Sequence, residues 1–392
     1  MRHLRVPNRA VEENLTLLRD RGWLAFGMRV FSHEDDVHRL IPLDPDAPVE
    51  MPAPFDIHEI VLHKGSLDTR VDSDWWNHLA LLIGKEEIEA FGEDWPSSHE
   101  FISDMMVVRI EAGLEKYTPQ IAEAKLRAHP HIRLVLNDEG VQGELRIRKL
   151  TPIGARVGDE IFTGNFPESA CSTRVIVRES GRAITCDPNK AYFSTKLQSE
   201  RIETLSLSKE LRGVLDRPIN VCDPFCGVGP ALATLLAEPD LVNHALASDL
   251  NPEAVRLLLD NLRRWDRRDY PSEPSPISRI FEDRIVGIAD ATQLREDASL
   301  VGYWDLVIVN LPHRTIELLP YMVPLLDMSS PSMIRGRVIV SESEILNANV
   351  EIKRALPDLL QEFPEPSLRI KRDYSSTLRL CSFEAWIAPQ QV

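Results

Sequence analysis

Four short segments of this sequence combine residue types and spacing that suit the binding of a nucleoside. In Asp223-Pro224-Phe225-Cys226-Gly227-Val228-Gly229-Pro230, Gly227 and Gly229 let the backbone approach a ligand closely. No third glycine closes the turn as in a dinucleotide fingerprint, and Asp223 precedes it, which suits a ligand carrying an amine rather than a pyrophosphate. Asp249, twenty residues past Gly229, can accept hydrogen bonds from two ribose hydroxyls. Asp290-Ala291 offers a carboxylate to an adenine amine, and Asn310-Leu311-Pro312 sets an amide after a mostly apolar run. Singly, each has a plainer role: Asp249 or Asn251 as a helix cap, Asp290 as a turn residue. Jointly, in order and at the ends of strands, they favour function.

Those strand ends come from a repeated alternation after about residue 203. Ile219–Cys222, Ala245–Ser248, Trp304–Val309 and Arg337–Ser341 read as buried strands. Ala231–Ala237 and Pro252–Trp265 read as helices, the second with Asn251-Pro252 at its start. Such alternation implies a mostly parallel sheet whose ligands sit at the carboxyl ends of its strands. Upstream, Ala10–Arg21 has helical periodicity, Arg39–Leu43 resembles a strand, and prolines 42, 45, 48, 52 and 54 suggest a boundary. Between these regions, Trp75–Phe91 reads as one helical stretch, Met105–Ile110 as a strand, Tyr117–Ala128 as a helix and Ile132–Leu136 as a strand. The expected fold is α/β, a Rossmann-like domain over 203–392, preceded by a small N-terminal domain (1–55) and an α+β domain with linker (56–202). Core or interface packing is preferred for Trp75 and Trp76 over base stacking.

Composition narrows the classes. The 392 residues, 43% apolar and 27% charged, fit a globular protein with no membrane-length apolar run and no signal-peptide pattern at the start, and so a cytoplasmic protein. Five cysteines argue against a disulfide framework, and Cys222 and Cys226 lack a second pair at zinc-ligand spacing, so packing is the preferred role. A net charge of −16 weighs against nucleic-acid binding, yet residues 144–201 hold ten Lys/Arg against seven Asp/Glu.

The motifs Asp223–Pro230, Ser248-Asp249-Leu250-Asn251-Pro252-Glu253-Ala254-Val255 and Val309-Asn310-Leu311-Pro312 resemble those of the archaeal and eukaryotic tRNA (guanine-37 N1)-methyltransferases. Gly143-Glu144-Leu145-Arg146-Ile147-Arg148 and Ala191–Arg201 match that family outside the cofactor fold, and the first residues are similar to its small N-terminal domain. The resemblance implies a class I methyltransferase domain using S-adenosylmethionine, a middle domain that binds RNA, tRNA as the partner, and a monomer. It assigns Tyr192, Asp223, Gly227, Gly229, Asp249, Leu250, Asn251, Asp290, Ala291, Asn310 and Pro312 to the cofactor, with Tyr192 packed on the adenine. N1 of guanine carries a proton, so its methylation needs a base, worth roughly 10² to 10⁴ in rate. It also needs a donor for the charge on O6, worth about 3 to 4 kcal/mol. The resemblance makes Glu200 the base and Arg146 the donor, with Asn310 positioning the base edge. The plainer alternatives are a Glu200–Arg201 surface ion pair and phosphate contacts for Arg146 or Arg148. Ala231 and Lys196 depart from the family pattern, and 157–172 resembles an insertion.

His313 in Asn310-Leu311-Pro312-His313 departs from the Asn/Asp-Pro-Pro-aromatic pattern of exocyclic-amine methyltransferases. The aminocarboxypropyl transferase of wybutosine synthesis resembles the chain too, but its family pattern lacks the Glu200 and Asn-Leu-Pro signatures. A catalytically silent RNA-binding protein is the third class.

Overall fold

In the computed structural model every residue is described except 26, 67, 69–73, 144, 146 and 391–392. The described chain forms two compact units. One comprises Met1–His99, Asp104–Asn137 and Pro152–Cys171, the other Glu100–Ser103, Asp138–Thr151 and Ser172–Val392.

In chain order the first elements are β1 (Arg2–Pro7), α1 (Val11–Asp20), β2 (Phe31–Ser32), β3 (His38–Pro42) and β4 (Glu59–Leu62), with antiparallel order β2-β3-β1-β4. Alternation on β1 puts Leu4 and Val6 into a core with Leu18, Ile41 and Phe55. The proline-rich stretch folds back on this core, because the Arg2 guanidinium donates to the carbonyls of Asp44, Pro45, Ala47 and Pro48.

Next come α2 (Trp75–Ile83), α3 (Lys85–Phe91), β5 (Glu100–Ile102), β6 (Met105–Val108), α4 (Thr118–Ala128), β7 (Leu134–Gln142), β8 (Ile147–Val157) and β9 (Glu160–Phe162). The expected single helix over Trp75–Phe91 is two helices, broken at Gly84, whose φ of 86° no right-handed helix admits. Trp75 is buried with Leu79, Trp95 and Ile121, and its ring lies 3.6 Å from Lys125 Nζ, so packing is its observed role.

The second unit continues with β10 (Val175–Glu179), β11 (Arg182–Cys186), α5 (Gln198–Leu215), β12 (Ile219–Asp223), α6 (Pro230–Leu235), β13 (Val242–Asp249) and α7 (Pro252–Asp266). It ends with β14 (Ser278–Phe281), β15 (Arg284–Ile288), β16 (Leu306–Val309), α8 (Thr315–Met322), β17 (Ser332–Ser341), α9 (Ile345–Ala355), β18 (Arg369–Asp373) and β19 (Leu378–Ile387). Eight strands form one sheet, in the order β14-β15-β13-β12-β16-β17-β19-β18. Its five central strands are parallel, with antiparallel strands at both edges. From β12 the chain steps to β13 on one side and later to β16 on the other, which leaves a crevice at the carboxyl ends between them.

Local chemistry explains these elements. β16 is buried at every residue, as a central parallel strand must be. Asn251 caps α7 by accepting from Glu253 N at 3.0 Å, with Pro252 in the first turn. β17 is five residues longer at its start than the expected Arg337–Ser341, because Arg335 and Arg337 interrupt the apolar run yet are both buried. The loop that carries Tyr192 and leads into α5 is held by a buried pair: Arg201 Nη2 lies 2.6 Å from Glu179 Oε2 and 3.1 Å from Ser194 O, and Arg201 Nε also donates to Glu179.

Arg201→Met should lower stability by about 3–5 kcal/mol, because Glu179 would be left buried and unpaired. Adding Glu179→Leu should recover most of that loss. Chemical denaturation of both variants checks this, and a single variant as stable as the parent contradicts it.

Candidate functional site

A cleft of about 530 Å³ opens at the carboxyl ends of β12, β13, β15 and β16. Of the residues expected at a cofactor, Tyr192, Gly227, Asp249, Leu250, Asn251, Asp290, Ala291, Asn310 and Pro312 line it. Tyr192 is 46% exposed, so it is a cleft residue and not a core one.

The carboxylates are fixed by backbone donors. Asp249 Oδ2 accepts from Gly227 N at 2.9 Å, and Oδ1 accepts from Asn251 N at 2.9 Å. Each oxygen has a second lone pair, so Asp249 can still accept from two ligand hydroxyls while holding the glycine turn against β13. Asp290 caps the short helix after β15 with Oδ1, which accepts from Thr292 N and Oγ1 at 2.9 and 2.8 Å. Its other oxygen stays available to a ligand amine. Capping and binding are thus compatible roles at both positions.

The two glycines do different work. Gly227, at φ 55°, faces open space apart from Tyr192 O, as a residue beside a ligand should. Gly229, at φ 85°, is outside the lining; a Cβ there would sit 2.6 Å from Leu258 Cδ1 and 3.3 Å from the Trp265 ring. Its task is the close approach of the turn to α7. Asn261 of α7 reinforces that approach: fully buried, it donates to Val228 O at 3.0 Å and exchanges hydrogen bonds with the backbone of Thr185.

Asp223 also stands behind the lining, 1% exposed, with burial pushing its carboxyl up to about 7. Burial raises Asp249 as well. Both acids lie under a turn of backbone N–H groups.

Glu200 does not line the cleft. It is buried in the first turn of α5, and the expected alternative, a surface pair with Arg201, is incorrect, because Arg201 is buried on Glu179. Glu200 Oε2 lies 3.4 Å from Arg335 and Oε1 3.7 Å from Lys371 Nζ, both long contacts. Glu203, one turn on, takes the short ones: 2.7 Å to Arg335, 2.6 Å to Lys371 and 3.1 Å to Arg369. Arg146 lies outside the described residues, as does Glu144. Arg148 is 11% exposed and paired with Glu100 at 2.9 Å and Asp138 at 2.8 Å, which removes it from the cations available to phosphate.

Sequence reasoning missed three features. Arg337 lines the cleft and donates to Asn310 Oδ1 at 2.9 Å. His313 Nε2 and Tyr374 OH, 3.2 Å apart, meet on another wall. Glu203 holds the cation cluster behind Glu200. Two arginines within an otherwise apolar strand, 335 and 337, were the available signal for the first. Among the described residues no group of acids, histidines or cysteines has a metal-binding arrangement, the five cysteines are free thiols, and no helix is long and apolar enough to cross a membrane.

Asp223 sets a pH dependence. Its ordinary value is 3.8 and its folded value about 7, so the folded chain binds the extra proton between them. That stabilisation is complete below the lower value and lost as pH rises through the upper one. Asp223→Asn should therefore flatten the fall in stability from about pH 4 to about pH 7. Melting curves across this range check it, and parallel wild-type and variant profiles would refute it.

The family described as TYW2 N-terminal domain matches residues 81–154. The tRNA (guanine(37)-N(1))-methyltransferase Trm5b of Pyrococcus abyssi is 29% identical over 169 residues, 43% of this chain. The match spans 44% of that relative's length. Its crystal structure superposes with a TM-score of 0.58 at 20% identity, covering 99% of each chain. The structure of aTrm5 in complex with tRNALeu gives 0.63 at 19% identity, covering 98% of this chain and 99% of the other. The chain is a sequence relative of proteins named tRNA (guanine(37)-N(1))-methyltransferase and has the Rossmann-like fold of their solved structures.

Proposed function

We propose that the protein is an S-adenosylmethionine-dependent methyltransferase acting on N1 of guanosine 37 in tRNA. The observation that carries this reading is one cleft lined by Asp249, Asp290 and Asn310 from the carboxyl ends of β13, β15 and β16, beside the glycine turn. Its donor set fits the cofactor: Asp249 has lone pairs for ribose hydroxyls, Asp290 has an oxygen for the adenine amine, and Tyr192 offers a ring. Leu250, Ala291 and Pro312 add apolar wall. Asp223, buried behind the lining, would add negative charge behind the glycine turn when ionised, which suits a ligand that carries an amine. When bound, S-adenosylmethionine supplies an electrophilic methyl group.

The chain's own residues must then orient guanine and take its proton. Asn310 faces the cleft and holds the base edge, while Glu200 accepts the N1 proton. The long contacts of Glu200 suit that role, because Glu203 satisfies Arg335 and Lys371 and leaves Glu200 able to rotate toward the cleft. Arg146 is the proposed donor to O6. Residues of the N-terminal and middle domains, together with the cations between 144 and 201 that have no ion pair among the described residues, are proposed to hold the tRNA. The free thiols fit a reducing, cytoplasmic compartment, and we take the active form to be a monomer.

The match of residues 81–154 to the TYW2 N-terminal domain favours one second reading, transfer of an aminocarboxypropyl group to the same nucleoside. Mass spectrometry of nucleosides from tRNA incubated with the protein and donor separates the two: a methyl adduct on guanosine supports our reading, and an aminocarboxypropyl adduct supports the other.

Glu200→Gln should keep the fold and the affinity for cofactor and tRNA, yet lower single-turnover methyl transfer by about two orders of magnitude. Raising the pH should partly restore it, because more substrate arrives already deprotonated at N1. A near-normal rate at neutral pH would show that the proton leaves by another route.

A further inference from the structure

Asn310 follows β16 directly, and its side-chain amide can present either its oxygen or its nitrogen to the cleft. Arg337 decides between them. The parallel register pairs Val309 of β16 with Gly336 of β17, so Asn310 and Arg337 are neighbours across the two strands. Arg337 Nη1 donates to Asn310 Oδ1 at 2.9 Å. A guanidinium has donors and no acceptor, so the reversed amide would set N–H against N–H. The oxygen is held by Arg337, and the amide's two N–H groups remain for whatever enters the cleft.

The electrostatic setting of Arg337 is unusual for a residue 7% exposed. Arg335, two residues away, has Glu200, Glu203 and Glu384 as partners, and Arg201 has Glu179. Among the described residues no carboxylate lies within ion-pair distance of Arg337. The charged groups that face it are Glu200 and Arg201 of α5, Arg335 of its own strand and Asp223 of β12. A buried cation without its own carboxylate destabilises a fold. Its position against a cleft-lining amide gives it another use.

Resting on the methyltransferase reading above, we propose that Arg337 is a positioning residue. It locks the Asn310 amide as a donor toward the cleft, so that the site reads a purine with a carbonyl at position 6 and rejects one with an amine there. Guanine O6 accepts from the amide, and adenine would bring its own N6 donors against it. Sites built to hydrogen-bond one group discriminate strongly against its absence, because the buried polar partner is left unpaired. Arg337 also adds positive charge behind the amide. As N1 loses its proton, charge moves to O6, and a donor polarised by a neighbouring cation binds that charge better than it binds the neutral carbonyl.

The test is single-turnover methyl transfer to tRNA transcripts carrying guanosine, inosine or adenosine at position 37, across a range of pH. The wild type should methylate the guanosine and inosine transcripts, which both carry O6, and leave adenosine. Arg337→Met should lower the guanosine rate about a hundredfold. It should also move the pH profile to higher pH, and shrink the preference for guanosine over adenosine by about tenfold or more. Arg337→Lys, which keeps a donor and a charge, should recover much of the rate and the pH profile. Asn310→Asp keeps the Arg337 contact but has no donor, so it should lose the guanosine reaction as severely as Arg337→Met. Melting curves and cofactor calorimetry on each variant separate a chemical defect from a folding or binding defect. A wild-type rate and pH profile in Arg337→Met would overturn the proposal, as would equal impairment of the Met and Lys variants. A wild type that transfers no methyl to guanosine 37 would instead overturn the functional reading on which it rests.

Discussion

The site depends on a buried chain of charge-assisted hydrogen bonds centred on Arg201. Arg201 pairs with Glu179 of β10 and donates to Ser194 O, while Ser194 Oγ donates to Glu100 at 2.7 Å and Glu100 pairs with Arg148. Three segments distant in sequence, carrying Glu179, Glu100 and Arg148, are thereby tied to the loop between β11 and α5. That loop carries Tyr192 into the cleft and starts the helix that bears Glu200 and Glu203. Charge-assisted bonds between buried groups are shorter and stronger than neutral ones, and losing one partner strands the other in a low-dielectric interior. The loop therefore has one well-defined path.

The sheet imposes the second constraint. Adjacent parallel strands bring Asp223, Asp249 and Asn310 to one edge without any long-range instruction in the sequence, since each follows its own strand by at most a residue. The glycine turn then closes between β12 and α6, secured by Gly227 N on Asp249 and by the Cβ-free approach of Gly229 to Leu258 and Trp265. Ligand-facing and packing roles are thus divided between two glycines two residues apart.

How much of this was legible in the sequence follows from the range of each interaction. The parallel strands, α7 with its Asn251-Pro252 start and the cleft residues at the strand ends were readable, because apolar runs, caps and turns are local. The break at Gly84 was not distinguished from helix, since one glycine inside a periodic stretch is a weak signal. The sequence leaves Glu200 as either a base or an exposed partner of Arg201. Neighbours in sequence invite that pairing, whereas on a helix adjacent side chains point apart, and each found its partners across the fold. The place of Arg337 beside the site is not legible in the sequence. Its meaning exists only in the register between β16 and β17, which places a cation beside an asparagine twenty-seven residues away.

That placement also bears on the acidity of the chain. A net charge of −16 is unfavourable for contact with a polyanion, yet several arginines are not surface charges at all: Arg148, Arg201 and Arg335 are internal and matched by Glu100, Asp138, Glu179, Glu203 and Glu384. Between 144 and 201 both signs are partly internal, Arg148 and Arg201 among the cations and Glu179 and Glu200 among the acids, so the local excess of basic residues is kept by the remaining ones. Neutralised buried arginines serve to hold a loop, and their carboxylates raise the acid count without making the cleft repulsive. Arg337 is the exception, held by an amide rather than an acid. Burial pushes its guanidinium down to about 10, still above neutral pH, so it keeps its charge under ordinary conditions. A fold selected for stability alone would give such a cation a carboxylate or replace it with an apolar residue. Hydrogen-bonded to the Asn310 amide and, among the described residues, in no ion pair, Arg337 preserves positive potential beside the cleft where negative charge must develop during the proposed reaction.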